Sequence, residues 1–159
     1  MARRGFGDET WRLALAGDVP ALERAGELLL AGDHGGLGYD GHRALAFARA
    51  VDGDVDDALA ELNEGWTEEW PFPSAYAADV ARVRFLAGDL PHALEALRLA
   101  ARSAETLDPA VPQLAVACVM REKRSFGGAL KVALAGGSPW QRAKSAAAVA
   151  RARFSADPS

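Results

Sequence analysis

Five stretches of the chain hold residue types that could do chemistry. His34 and His42 flank GLGYDG (36–41), with Asp33 and Asp40 beside them. A metal held there needs further ligands than this set supplies, so loop and cap roles are expected. GLGYDG also fits G-x-G-x-x-G. That motif cradles phosphate only between a strand and a helix, and the preceding LERAGELLLAGD reads helical. A loop between two helical units is the expectation. Counted from Asp52, DGDVDDALAELNE places carboxylates at loop positions one, three and five. Position six is Asp57 rather than the glycine a calcium loop turns on, and position twelve is Asn63 rather than a bidentate glutamate. A solvated acidic helix start fits better, because carboxylates favour helix N-termini.

Cys118 lies in the apolar run QLAVACVM and reads as a small core residue. His92 stands beside a predicted hairpin corner. No catalytic triad, general acid/base pair, phosphate loop, metal site or cofactor is expected, so the chain does not read as an enzyme. The fifth stretch is aromatic: GWTEEWPFPSAY (65–76). Trp66 and Trp70 share a helix face if a helix runs through both, and Phe72 sits between two prolines. It is either a packed junction between hairpins or an aromatic hot spot for a partner.

These residues must be positioned by helices. Half of the 159 residues are hydrophobic and a quarter charged, the balance of a globular chain rather than a disordered one. Isoleucine is absent and threonine occurs only at 10, 67 and 106, which leaves little strand material. No apolar run is long enough to cross a membrane, and MARRGFGDETW has no apolar core of a secretory signal. One cysteine allows no intrachain disulfide. A cytoplasmic address follows as the expectation. Charge is uneven: residues 1–108 hold 20 Asp and Glu against 10 Lys and Arg, whereas 109–159 hold 2 against 8. The overall charge is −4 and the pI about 5.4.

Gly17-Asp18, Gly32-Asp33, Gly53-Asp54 and Gly88-Asp89 each follow an apolar-periodic run. A left-handed glycine ends the helix, and Asp18, Asp54 or Asp89 then caps the next; Asp33 instead opens a longer loop. Ser74 is expected to cap another start, Asp108-Pro109 to give a cap with Pro at the first helical position, and Ser138 with Gln141 a capping box. Helices are predicted over 9–16, 19–31, 42–52, 55–65, 75–87, 90–104, 110–122, 126–135 and 139–154.

Aligning Gly53 with Gly88, an offset of 35, superposes Ala46 on Ala81, Ala58 on Ala93, Leu59 on Leu94, Leu62 on Leu97 and Gly65 on Ala100. A further 36 residues, to Arg124, bring Ala117, Ala129 and Gly136 to the same places. Small residues at a period near 35 mark stacked helical hairpins. The pattern resembles the tetratricopeptide repeat family. That family puts small residues seven before, five after and twelve after its turn glycine. The unit around Gly17 departs from this, with Thr10, Leu22 and Leu29 at the small places. Arg124 replaces a turn glycine, and Arg49 and Arg84 stand near places where aromatic knobs are usual.

The resemblance implies an all-α fold: a right-handed superhelical stack of antiparallel helical hairpins with a C-terminal capping helix. It would form a single domain over 1–159, with an atypical first hairpin at 8–32, repeats at about 39–72, 74–108 and 109–137, and the cap at 138–154. In that cap Ala146, Val149, Ala150 and Phe154 would cover the last apolar face. The resemblance also places Arg43, Phe47, Arg82, Phe85, Cys118 and Arg121 near a concave groove. Such a groove would suit an extended acidic and hydrophobic peptide. The expected function is a noncatalytic protein- or peptide-binding adaptor or scaffold. The alternatives are a small-ligand sensor using the glycine-rich loop 33–43, and a nucleic-acid-associated regulator acting through the basic C-terminal region. The overall acidity weighs against the last. Contact between the acidic and basic ends of two copies would give a weak homodimer.

Overall fold

The structure is a computed structural model, and it describes residues 2–32, 38–66, 73–103 and 108–155, with side chains from residue 9 onward. Its elements are α1 (Ala2–Leu15), α2 (Val19–Ala31), α3 (Gly38–Val51), α4 (Val55–Gly65), α5 (Pro73–Leu86), α6 (Leu90–Ser103), α7 (Ala110–Arg121), a 3-10 turn (Lys123–Ser125), α8 (Phe126–Ala133) and α9 (Pro139–Phe154). The described residues are all-helical, with no strand among them, and no helix is long and apolar enough to cross a membrane.

Helix ends follow local chemistry. Gly17, Gly53 and Gly88 take positive φ (72°, 87° and 87°), the left-handed conformation that costs glycine nothing. The aspartate after each turns back on the next helix. Asp18 Oδ1 accepts from the Ala21 N–H at 3.2 Å, Asp54 Oδ1 from Asp57 at 3.3 Å and Asp89 Oδ1 from His92 at 3.4 Å. Ser138 and Gln141 form the full capping box, with bonds of 3.2 and 2.8 Å. Asp108 Oδ1 takes the Ala110 N–H at 2.9 Å, but Pro109 stands at the N-cap of α7 rather than at its first helical position.

Some expected ends fall elsewhere. Gly32 is extended (φ −90°), because the chain leaves α2 rather than turning straight into another helix. Ser74 lies inside α5, which begins one residue earlier at Pro73. α1 and α3 begin at Ala2 and Gly38, seven and four residues before the predicted starts. The corner between α7 and α8 is a 3-10 turn at Arg124, so this hairpin turns without a left-handed residue. A further left-handed glycine, Gly137 (φ 87°), prepares the start of α9.

The chain divides into two compact units: residues 1–72 with 82–88, and residues 73–81 with 89–159, so that α5 contributes to both. In the first unit α1 packs on α2 and α3, α2 on α3, and α3 on α4. α2 and α3 cross on glycines. A Cβ on Gly26 would lie 3.0 Å from the Gly41 carbonyl and 2.7 Å from Leu45 Cγ, and one on Gly41 would meet Leu30 Cγ at 2.8 Å. Likewise a Cβ on Gly65 would stand 2.8 Å from that of His42. α3 lies deepest, burying Tyr39, Gly41, Arg43, Ala44, Ala46, Phe47, Ala48 and Ala50.

In the second unit α6 packs on α7 and α8, α7 on α8, and α9 on both α7 and α8. A Cβ on Gly136 would fall 2.1 Å from the Ala101 carbonyl, so only glycine allows that approach. The small positions at Ala46, Ala58, Ala81, Ala93, Ala100 and Ala129 are buried in their units. Ala117 is half-buried. α9 buries Ser145, Val149 and Ala152, an i, i+4, i+7 stripe. Phe154 is 80 % exposed, not part of the covering face as expected. The last turn of α9 is tied down instead by Lys123, whose Nζ donates to the Ala152 carbonyl at 2.6 Å and to Ser155 Oγ at 3.0 Å.

Candidate functional site

Four of the six residues expected near a groove come together in the first unit, three of them around a ring that sequence reasoning missed. Trp11 of α1 projects between Phe47 of α3 and Phe85 near the end of α5. Its ring centroid lies 5.6 Å from that of Phe47, edge-on at 67°, and 6.2 Å from that of Phe85, tilted at 50°. Such edge-to-face pairs set the positive rim of one ring against the negative face of another. Two guanidinium groups complete the site. The Arg82 guanidinium carbon stands 5.7 Å from the Trp11 ring centre, and that of Arg43 4.6 Å from the Phe47 ring. Both lie within cation–π range. Phe47 is fully buried, Arg43 and Phe85 are nearly so, and Trp11 and Arg82 are half-buried.

The spacing of α3 explains two of these placements. Arg43 and Phe47 are four apart and share a face, so the arginine stem can lie along apolar surface while its head reaches the phenyl ring. Arg82 and Phe85 are three apart on α5 in the same way. Trp11 carried no such signal in the sequence: it sits where the residues depart from the expected repeat pattern.

The remaining expected residues are placed differently. Arg121 ends α7 in the second unit and is exposed, and Cys118 is fully buried there. Burial pushes the Cys118 thiol up to about 12, against the pull of Arg121, so the thiolate that a nucleophile needs is strongly disfavoured. Trp66 is the extended, half-buried residue that ends α4. Trp70 and Phe72 lie outside the described residues, as do His34 and residues 33–37 of the glycine-rich loop. Residues 38–43 of that stretch are the first turns of α3, and Gly41 serves the crossing with α2.

His42 is not directed at a loop ligand but at α4: its Nδ1 lies 3.1 Å from Glu61 Oε1. Arg49 reaches the same carboxylate, Nη2 to Oε2 at 3.6 Å, while its buried Nε has no hydrogen-bond partner. His92 caps its own corner, with Nδ1 2.8 Å from Asp89 Oδ2. Among the described residues no group of three His, Cys, Asp or Glu side chains is placed to hold a metal. Surface clefts open among the described residues of the second unit. One, of about 390 Å³, is lined by Pro91, Arg98, Glu122, Arg124 and Lys131, with Arg124 paired to Glu122 at 2.8 Å. Another, of about 480 Å³, runs along Pro112, Val116, Lys144 and Ala148.

Fold and site together define an all-helical protein whose helices pack on their neighbours and gather an aromatic and guanidinium cluster. No family model matches the chain, and comparison with curated proteins and with solved structures finds no match.

Proposed function

We propose that this chain is a noncatalytic protein-binding adaptor, built as a stack of tetratricopeptide-like hairpins with α9 as the terminal cap, and acting in the cytoplasm. One observation carries the reading: Phe47, Arg82 and Phe85, drawn from two helices, converge on the Trp11 ring, with Arg43 seated over Phe47. Tryptophan and arginine side chains are enriched among the residues that carry binding energy in protein interfaces. The repeated Gly-Asp corners and the buried small residues near a 35-residue period support the hairpin stack. Burial disfavours the Cys118 thiolate, which weighs against that one side chain as a nucleophile.

The test compares wild-type protein and the Arg82→Glu, Phe85→Ala double variant as baits in quantitative cross-linking from native cytoplasm. The reading expects partners that the wild type retains and the folded double variant loses. An identical partner set for both would overturn it.

A further inference from the structure

The ring that fills the aromatic site belongs to the chain itself. We propose that α1 is a displaceable strap, and that the site it covers takes a helix of a partner protein presenting an aromatic side chain, tryptophan foremost, in place of Trp11. The proposal rests on the adaptor reading and goes beyond it by naming the occupant's chemistry and the element that competes with it.

Three observations support a strap rather than a fixed core helix. First, the seat is specific for an aromatic ring: two phenyl rings meet Trp11 at 5.6 and 6.2 Å, and Arg82 faces it at 5.7 Å. An aliphatic side chain would fill the volume without the quadrupole contacts or the cation–π attraction. Second, the described side chains of α1 are thinly anchored. From Glu9 to Leu15 it buries only Thr10 and Ala14, with Trp11 and Leu13 half-buried and Leu15 56 % exposed. It also carries Gly5 and Gly7 within its helical span, each unfavourable there relative to alanine. Elements with few buried contacts open at the low end of a protein's free-energy range. Third, α1 can leave without unravelling its neighbour. It joins α2 at Gly17, a left-handed glycine corner, and α2 keeps its own cap, the Asp18 to Ala21 bond, which lies wholly on the far side of that corner.

A strap that occupies the site lowers the apparent affinity of any competitor by the fraction of time it is seated. The experiment therefore uses a synthetic peptide of residues 2–16, and the same peptide with Trp11→Ala, against the full-length wild-type chain and the full-length Trp11→Ala variant. The expected result is that the native-sequence peptide binds the variant at least about 10-fold more tightly than it binds the wild type. Binding should be lost with the alanine peptide, and lost again when Phe85→Ala is added to the variant. Equal binding to both chains, or none to a Trp11→Ala chain that still melts cooperatively, would overturn the strap.

If the variant does not fold, hydrogen exchange on the wild type decides. Amides of α1 exchanging faster than those of α2–α4, through an opening that leaves the latter protected, support the strap; exchange of all four helices in one global step overturns it. Light scattering separates the remaining occupant: a dimer abolished by Trp11→Ala would mean that a second copy's α1 fills the site, and would replace the partner proposed. Peptide binding with an unchanged partner set in the cross-linking comparison would overturn the adaptor reading while leaving the strap in place.

Discussion

The Trp11 ring meets Phe47 edge-on, centroid to centroid 5.6 Å, joining a helix that departs from the repeat pattern to the most deeply buried helix of its unit. Phe47 is fully buried and Trp11 half-buried, so truncating the two has unequal consequences. Phe47→Ala should cost about 3–5 kcal/mol, the transfer term plus an unfilled cavity. Trp11→Ala should cost roughly half as much, since water already reaches part of the ring. Urea denaturation checks both: the midpoint should fall in that order with little change in slope for Trp11→Ala.

Glycines inside helices here carry opposite signs. At Gly26 and Gly41 an added methyl meets backbone oxygen at 3.0 and 3.2 Å and leucine carbons closer still, so alanine at either should destabilise by about 1–3 kcal/mol through overpacking. Gly127, in the first turn of α8, has open space around its missing Cβ. Gly127→Ala should stabilise by up to about 1 kcal/mol, from helix propensity alone. Thermal melts of the three single variants should show two downward shifts and one upward shift.

The Cys118 thiol, held at about 12 by burial, is almost entirely protonated at pH 8. Modification by a thiol reagent should then follow transient opening of the second unit and run about 100-fold or more slower than in denaturant. Reaction progress in native buffer and in guanidinium measures the ratio. Comparable rates would mean that the thiol is reachable in the folded state.

At the start of α4 a side-chain hydrogen bond to Asp54, and then its like charge, raise the Asp57 carboxyl above its ordinary 3.8, with Arg49 pulling it back. A carboxyl raised by folding favours the fold while it is protonated. That contribution is fully present below the unfolded pKa and is lost as pH rises through the raised value. Carboxyl carbon NMR should place the Asp57 midpoint above 3.8, and Asp54→Asn should lower it. An unmoved midpoint would show that Asp54 is not the cause.

What the chain's order of residues determined by itself is local. Gly17, Gly53 and Gly88 with the aspartates after them, and Ser138 with Gln141, specify their corners through bonds between residues three apart, so no distant partner is needed to read them. The small residues near a 35-residue period marked where helix backbones come close, and Ala46, Ala58, Ala81 and Ala93 are all fully buried. Tertiary structure decided the rest, because it depends on which surfaces meet. Periodicity marked Ala146, Val149, Ala150 and Phe154 as one face of α9, but the buried stripe is Ser145, Val149 and Ala152, set by contact with α7 and α8. Gly41 looked like part of a loop motif until the Gly26 backbone lay against it. The resemblance set Arg43, Phe47, Arg82 and Phe85 near one groove, but it gave no place there to Trp11. Its place depends on contacts with residues 36 and 74 positions away, and local spacing carries no information about a contact that only folding creates.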